Sequence, residues 1–505
     1  MAACMRLQQF AGKNAVQICR RHLSGAKIRK KVRERNPPTI IHKNTTMKEW
    51  PFYSATASFD YPKPQGDVAE YPPIKERFPP GKWGCIPDRK AWVMYEKGKD
   101  LLDIPHVAER LEELCSKEQV IVYQLPLWQR EHGLVEFFQY ITKTHLVKGE
   151  LPDIYGSIEV DDETFNFIKP LVLEVILQEK AQVVQYGRPH QPIKHRTPLQ
   201  ERIKREEESI RQIVNVIRTS LCRKKPHLMK LLQDKKVRIE AYWLRSGYEA
   251  IEDNGYFNTG FKHPKGFDQV TKALKFQSSH TANVVLTAEQ PLPEFISKED
   301  PLCTEEIPQF RYNPMTVGQH TAPSKPRFVP GYHLGQACEF AYLTINTPGR
   351  EIDEASLPHP DDMKTITLQA GIGISFSQLL AKAHYLGFSM YHNLTYPLTC
   401  QTIVGDGRRF SFFAYQLNTL EQWKSDEVIP QRNICWALDE LALYDTVEDG
   451  EVKGFNDEVL KTLIKCFLIE PEEREFNLRP YLPEDYEAPV NKKEYIAEEV
   501  KHGRN

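Results

Sequence analysis

The chain has 505 residues, is 40% hydrophobic and carries a formal net charge of -1, so it can bury a sizeable core and is not a bulk polycation. No uninterrupted apolar run of about 18 residues occurs, so no membrane span is expected. The charge is uneven: residues 1–50 carry 12 Lys and Arg against 2 acids, 186–245 carry 16 against 6, and 421–505 carry 11 against 21. Two basic segments balanced by an acidic end suit a protein that meets a polyanion on one surface.

Residues 1–33 contain no acid, and Arg6, Lys13 and Arg20 fall seven apart on one helical face, with Leu7, Ala11 and Ile18 on another. This is the composition of a mitochondrial transit peptide, and it lacks the long apolar core of a secretory signal. Arg21-His22-Leu23 before Ser24 has the pattern of matrix processing, so residues 1–23 are read as the presequence. The alternative is a basic arm in a cytosolic or nuclear protein. Residues 24–100 follow as an extended arm crowded with prolines (among them Pro37, Pro38, Pro72, Pro73, Pro79 and Pro80), which bar a long helix or a regular sheet. Its aromatics, including Trp50, Phe52, Tyr53, Tyr71 and Trp83, are too many for a solvated linker, so the arm is expected to be pinned onto a surface.

Residues 101–245 read as a mainly helical region. Helices are expected at Val107–Lys117 and Gly133–Thr144, and a helix broken around Pro170 at Phe167–Val184. Thr197-Pro198-Leu199-Gln200 then opens a long helix with a capping box. Its apolar stripe is Leu199, Ile203, Ile210, Ile213, Val214, Ile217 and Leu221, opposite a charged, solvent-facing side. Arg223, Lys224 and Lys225 lie just beyond, and Lys235 and Lys236 precede a strand at Val237–Arg245. Clustered cations at a helix end and a strand entry can reach phosphates, although nothing in their pattern reads a base.

Residues 246–345 alternate turns with short strands such as Asn283–Thr287, and proline-spaced loops run from Pro291 to Pro330. The last region, 346–505, opens with a buried helix at Asp361–Phe388. Gly371-Ile372-Gly373 within it lacks the third glycine of a dinucleotide fingerprint, so close helix packing is expected there. Gly405-Asp406-Gly407 sits between strand-like Thr399–Val404 and an aromatic strand over 408–418, with no helix behind it to cradle a phosphate. A hairpin turn is expected, with Phe410, Phe412, Ala414 and Leu417 on one side and a bulge near the strand's end. Arg408 and Arg409 beside the turn complete the candidate RNA-binding residues. A strand at Ile434–Leu438, a turn at Glu448-Asp449-Gly450, a helix near Asn456–Ile469 and an acidic tail follow. The order of elements suits an α+β body, helical with a mixed sheet.

The ten cysteines are scattered without a C-x-x-C pair, so reduced, buried thiols in an intracellular compartment are expected. H-E-x-x-H, G-x-S-x-G, P-loop and EF-hand patterns are absent. His132 and Glu136 are spaced i,i+4 but lack a nameable third metal ligand. No catalytic, cofactor or metal residue is assigned, and no enzyme is expected. The rival reading is a matrix enzyme that processes or modifies RNA.

Four stretches carry a resemblance: Cys400–Val404 with its Gly-Asp-Gly, Phe410–Leu420, Asn433-Ile434-Cys435-Trp436, and Val452–Asp457. Fainter traces lie at Ala69–Ile74, Gln139–Thr144 and Tyr242–Arg245. Together they resemble the programmed cell death protein nine family of mitochondrial ribosomal proteins, first assigned to the small subunit and later placed in the large one. The resemblance implies a structural component of the mitochondrial large ribosomal subunit in the matrix, without catalysis or cofactor. It also implies contacts with large-subunit rRNA and neighbouring proteins, including the similar mitochondrial large-subunit protein thirty-seven.

Overall fold

A computed structural model describes residues 98–114, 120–181, 198–248, 272–310, 312–333, 336–348, 360–424 and 429–482. The presequence, the arm up to residue 97, Thr197 of the capping box and the end of the acidic tail lie outside these residues.

The first described part runs α1 (Val107–Leu114), β1 (Val120–Leu125), α2 (Leu134–Thr142), β2 (Thr144–Lys148), α3 (Asp153–Ser157), α4 (Asp162–Ala181), α5 (Pro198–Leu221) and α6 (His227–Lys230). Next come the long strands β3 (Leu232–Tyr248) and β4 (Lys272–Ala288), then β5 (His320–Ser324), β6 (Val329–Pro330) and β7 (Phe340–Asn346). Helix α7 (Pro360–Tyr385), β8 (Leu398–Gly405), β9 (Arg409–Leu417), β10 (Asn433–Ala442), a small β11–β12 hairpin (Thr446–Glu448, Glu451–Lys453) and α8 (Asp457–Leu468) complete the order. The α+β body with a mixed sheet is as expected.

Ten strands form one sheet in the order β2-β10-β9-β8-β7-β4-β1-β5, with β3 against β4 and β6 against β3. Three pairings are parallel: β1 with β4, β2 with β10 and β7 with β8. The sheet is covered on both faces. On one, α2 and α7 supply Phe137, Phe138, Ile141, Ile374, Phe376 and Leu380 against Trp243, Phe276, Phe413, Tyr415 and Cys435. On the other, α4, α5 and α8 supply Ile168, Val172, Ile213, Ile217, Val459 and Leu463 against Ile345, Ile403, Phe410, Phe412 and Trp436. Strands buried on both faces read as continuous apolar runs, which blurs the alternation that tells one face from the other.

That blurring explains one correction. Phe410, Phe412 and Ala414 share a face as expected, but Leu417 faces the α2–α7 side with Phe413 and Tyr415. β9 pairs with β8 in unbroken register, and the bulge lies instead in β10, between Leu438 and Leu441. A second correction concerns α4, which runs unbroken through Pro170. The lost hydrogen bond and ring clash cost about 3 kcal/mol. Burial of Phe165, Ile168, Val172 and Ile176 offsets this at roughly 1.5–3 kcal/mol per side chain. Strands β1 and β2, by contrast, fall in a stretch expected to be mainly helical. Each is held by pairing with a strand distant in sequence, β4 and β10 respectively, and the β-branched and aromatic run Val120-Ile121-Val122-Tyr123 of β1 is a strand signal that the helical reading passes over.

Candidate RNA interface

Five of the stretches that carry the family resemblance, Gln139–Thr144, Tyr242–Arg245, Cys400–Val404, Phe410–Leu420 and Asn433–Trp436, lie inside the protein, whereas Val452–Asp457 is at the surface and Ala69–Ile74 lies outside the described residues. Asn433 opens β10 and is fully buried; its Oδ1 accepts from the backbone N–H groups of Asn418 (2.8 Å) and Thr419 (3.0 Å), while its Nδ2 donates to Thr142 O (2.8 Å). Its own N–H donates to Lys143 O at 2.9 Å. One step along, Thr144 Oγ1 and the Tyr415 hydroxyl share a hydrogen bond of 2.6 Å. Trp243 Nε1 donates to Ile141 O (3.0 Å), and the buried Arg245 guanidinium lies 4.2 Å from the Tyr140 ring centre. Gln401 accepts from Tyr155 Oη at 2.8 Å and donates to the carbonyls of Tyr342 and Cys466, both at 3.2 Å. These are structural ties between remote segments. Their residue types are explained by hydrogen-bonded burial.

The candidate cations separate into two places along α5. Arg223, Lys224 and Lys225 follow its C-terminus, where Lys224 Nζ meets Asp161 Oδ2 and Thr164 Oγ1, each at 2.7 Å, and Glu163 at 3.5 Å. The hydrogen bond from Lys224 lowers the Asp161 pKa, and the same bond raises that of Lys224. Lys225 Nζ contacts Glu470 Oε1 at 2.6 Å, which lowers the Glu470 pKa. Arg223 is exposed, with no ion pair among the described residues.

Lys235, Lys236, Arg408 and Arg409 gather instead near the first half of α5. Lys236 Nζ lies 3.5 Å from Glu207, and Lys235 is exposed. A Cβ on Gly407 would sit 2.7 Å from Ser209 Oγ, so the hairpin tip packs against the same stretch of helix. At 1.5 Å per residue, the two cation groups are about 25 Å apart along α5.

The hairpin itself is as expected. β8 and β9 pair antiparallel up to Gly405 opposite Phe410, and Gly407 takes a φ of +89°. The Asp406 carboxylate accepts from the N–H groups of Arg408 (2.8 Å) and Arg409 (2.6 Å), fixing the turn. Arg409 reaches Asp406 Oδ2 at 3.2 Å and Glu440 at 3.0 Å, whereas Arg408 is exposed and donates to Tyr444 O at 3.2 Å. A cleft of ≈ 30 Å³ beside the turn, lined by Arg202, Glu206, Asp406, Arg409 and Glu440, is room for a water molecule, not a nucleotide.

Two further cations were not singled out in sequence. Lys325 and Arg327 lie among the prolines between β5 and β6, and only the pairing of β5 with β1 and of β6 with β3 brings them to Arg238. With Glu240, Gln277, Pro323 and Ser324 they line an open groove of ≈ 320 Å³. Lysine and arginine spaced by proline carry no periodic signal, so no motif could have found this site.

Among the described residues, no three His, Cys, Asp or Glu side chains converge to hold a metal ion. The described cysteines are free thiols: Cys303, Cys338, Cys400, Cys435 and Cys466 are buried and Cys222 half-buried. Burial pushes Cys303 up to about 11 and Cys400 and Cys466 up to about 12. No described helix is long and apolar enough to cross a membrane.

A family profile described as Mitochondrial 28S ribosomal protein S30 (PDCD9) matches residues 87–471. That span takes in every element from α1 to α8 and every candidate cation. The match covers well over half of the chain and includes the buried junction around Asn433; the chain belongs to the mitochondrial ribosomal protein S30 (PDCD9) family.

Proposed function

We propose that this mitochondrial ribosomal protein is a structural, non-catalytic component of the large ribosomal subunit in the matrix, contributing to mitochondrial translation through rRNA and protein contacts. The observation that carries the ribosomal part is the family match over residues 87–471. The family carries a 28S, small-subunit designation; the large-subunit assignment rests on the resemblance set out above.

Exposed cations favour an RNA-contacting role. Arg223, Lys224, Lys235, Lys236 and Arg408 all face solvent. The ion pairs of Lys224 and Lys236 are solvent-screened surface pairs, so rRNA phosphates can replace the carboxylates at little cost. Each neutralised phosphate adds counterion release. Neighbouring proteins, with the paralogous large-subunit protein thirty-seven foremost, are the proposed protein partners.

Gradient sedimentation of mitochondrial lysate tests the proposal. The expected result is co-migration with the large subunit that persists at moderate salt. Migration with the small subunit would overturn the subunit assignment, and residence in the light fractions would overturn the ribosomal role.

A further inference from the structure

The groove between β3, β4 and the Lys325–Arg327 loop has a donor and acceptor pattern of its own. Resting on the ribosomal reading above, we propose that it binds the ribose-phosphate backbone of RNA, with phosphate on Lys325, Arg327 and Arg238 and a 2′-hydroxyl donating to Gln277 Oε1.

Three cations face one carboxylate in this groove. Arg238 is half-exposed, with a side chain 57% accessible, and already neutralises Glu240 through Oε1. Lys325 and Arg327 are exposed and have no acidic partner among the described residues. Their loop is held at both ends. Ser324 pairs with Val120 on one side, and Val329 pairs with Glu240 on the other. Between them Pro326 is buried, and Phe328 stacks on His384 with ring centres 3.8 Å apart. A loop fixed this way loses little further freedom when an anion docks.

The acceptor decides which anion fits. Gln277 is 5% exposed, yet its Oε1 has no hydrogen-bond partner among the described residues. A buried acceptor on a groove wall calls for a donor. A DNA backbone or an ionised acidic side chain would satisfy the cations and leave that oxygen orphaned. RNA presents a donor hydroxyl beside each phosphate, and it is this group that lets a protein tell RNA from DNA. The groove's ≈ 320 Å³ lies at the low end of the range of about 300–1,000 Å³ typical of small-ligand sites, enough to seat one nucleotide.

The test uses the full chain, a short oligouridylate and its 2′-deoxy counterpart, with affinity followed by fluorescence anisotropy at several salt concentrations. Wild type is expected to bind the RNA roughly tenfold tighter than the DNA, a ratio near that of one good hydrogen bond to a buried group. Lys325→Ala with Arg327→Ala removes two exposed cations. It should weaken both ligands and reduce the slope of log affinity against log salt by about 1.4, at roughly 0.7 per phosphate contact. Gln277→Leu, with folding checked by its thermal midpoint, should bring RNA affinity down towards that of DNA and leave DNA binding unchanged. Equal binding of RNA and DNA by wild type, unchanged affinity in the double variant, or polyglutamate binding as tight as RNA would each overturn the groove assignment. Sedimentation of the wild-type chain reads the ribosomal role independently, so a chain that travels with a ribosomal subunit but shows no oligonucleotide preference loses only the groove.

Discussion

Asn433 joins separate parts of the chain through one side-chain amide. Its three side-chain hydrogen bonds all go to backbone groups. Asn433→Ala leaves two buried N–H groups unpartnered, at about 1–3 kcal/mol each, and leaves Thr142 O with only the long contact from Thr144 Oγ1 at 3.5 Å. A loss of about 3 kcal/mol or more is expected in the denaturant midpoint, and a loss below 1 kcal/mol would mean the junction tolerates solvent. His384 gives a pH signature at the same scale. Desolvation lowers its pKa to about 4, and its Nδ1 donates to Leu380 O at 2.7 Å. With the folded pKa below the unfolded 6.5, the unfolded chain takes up the proton first. The stability contribution is therefore complete above pH 6.5 and is lost as pH falls towards 4, by up to about 3 kcal/mol. His227, His280 and His392 are lowered in the same direction by burial, so the comparison must isolate His384. His384→Phe should flatten the curve of stability against pH in that window relative to wild type; an identical slope would remove His384 as its source.

At the scale of elements, α7 is the central helix and its two glycines set how closely it lies on the sheet. A Cβ on Gly371 would stand 2.4 Å from the Phe413 ring, and one on Gly373 would stand 2.6 Å from Leu127 Cδ2. Helix propensity alone makes Gly371→Ala favourable by about 1 kcal/mol. Overpacking in a filled core costs about 1–3 kcal/mol, so the clash wins. Gly371→Ala is expected to lower the unfolding midpoint, and adding Phe413→Leu should recover part of the loss in a double-mutant cycle. Strict additivity would show that the helix simply shifts away. The Gly-Asp-Gly hairpin was legible because its chemistry is local: Asp406 bonds to residues two and three positions on. The bulge in β10 was not, because register depends on what lies opposite.

At the scale of the whole molecule, the sheet draws strands from both ends of the described chain, with β2 beside β10 at one edge and β5 beside β1 at the other. Cationic surfaces are distributed over this single frame, which suits a protein held in a particle by several modest contacts. Replacing Arg223, Lys224 and Lys225 together with Ala removes only solvent-screened surface ion pairs, which contribute little to stability. The expected outcome is a nearly unchanged thermal midpoint with reduced incorporation into ribosomal particles, read by quantitative gradient fractions. Full incorporation would remove this patch from the RNA contacts.

The amino-acid sequence by itself determined the long amphipathic helix α5, the packed helix α7, the aromatic hairpin, the uneven charge and the family resemblance. Each rests on neighbours within a few turns or on a contiguous motif. Only the tertiary structure decided the strand order, the continuity of α4 through Pro170, the faces of β9 and the meeting of Lys325 and Arg327 with Arg238. Those depend on partners tens to hundreds of residues away, whose burial and hydrogen bonding outweigh local preference.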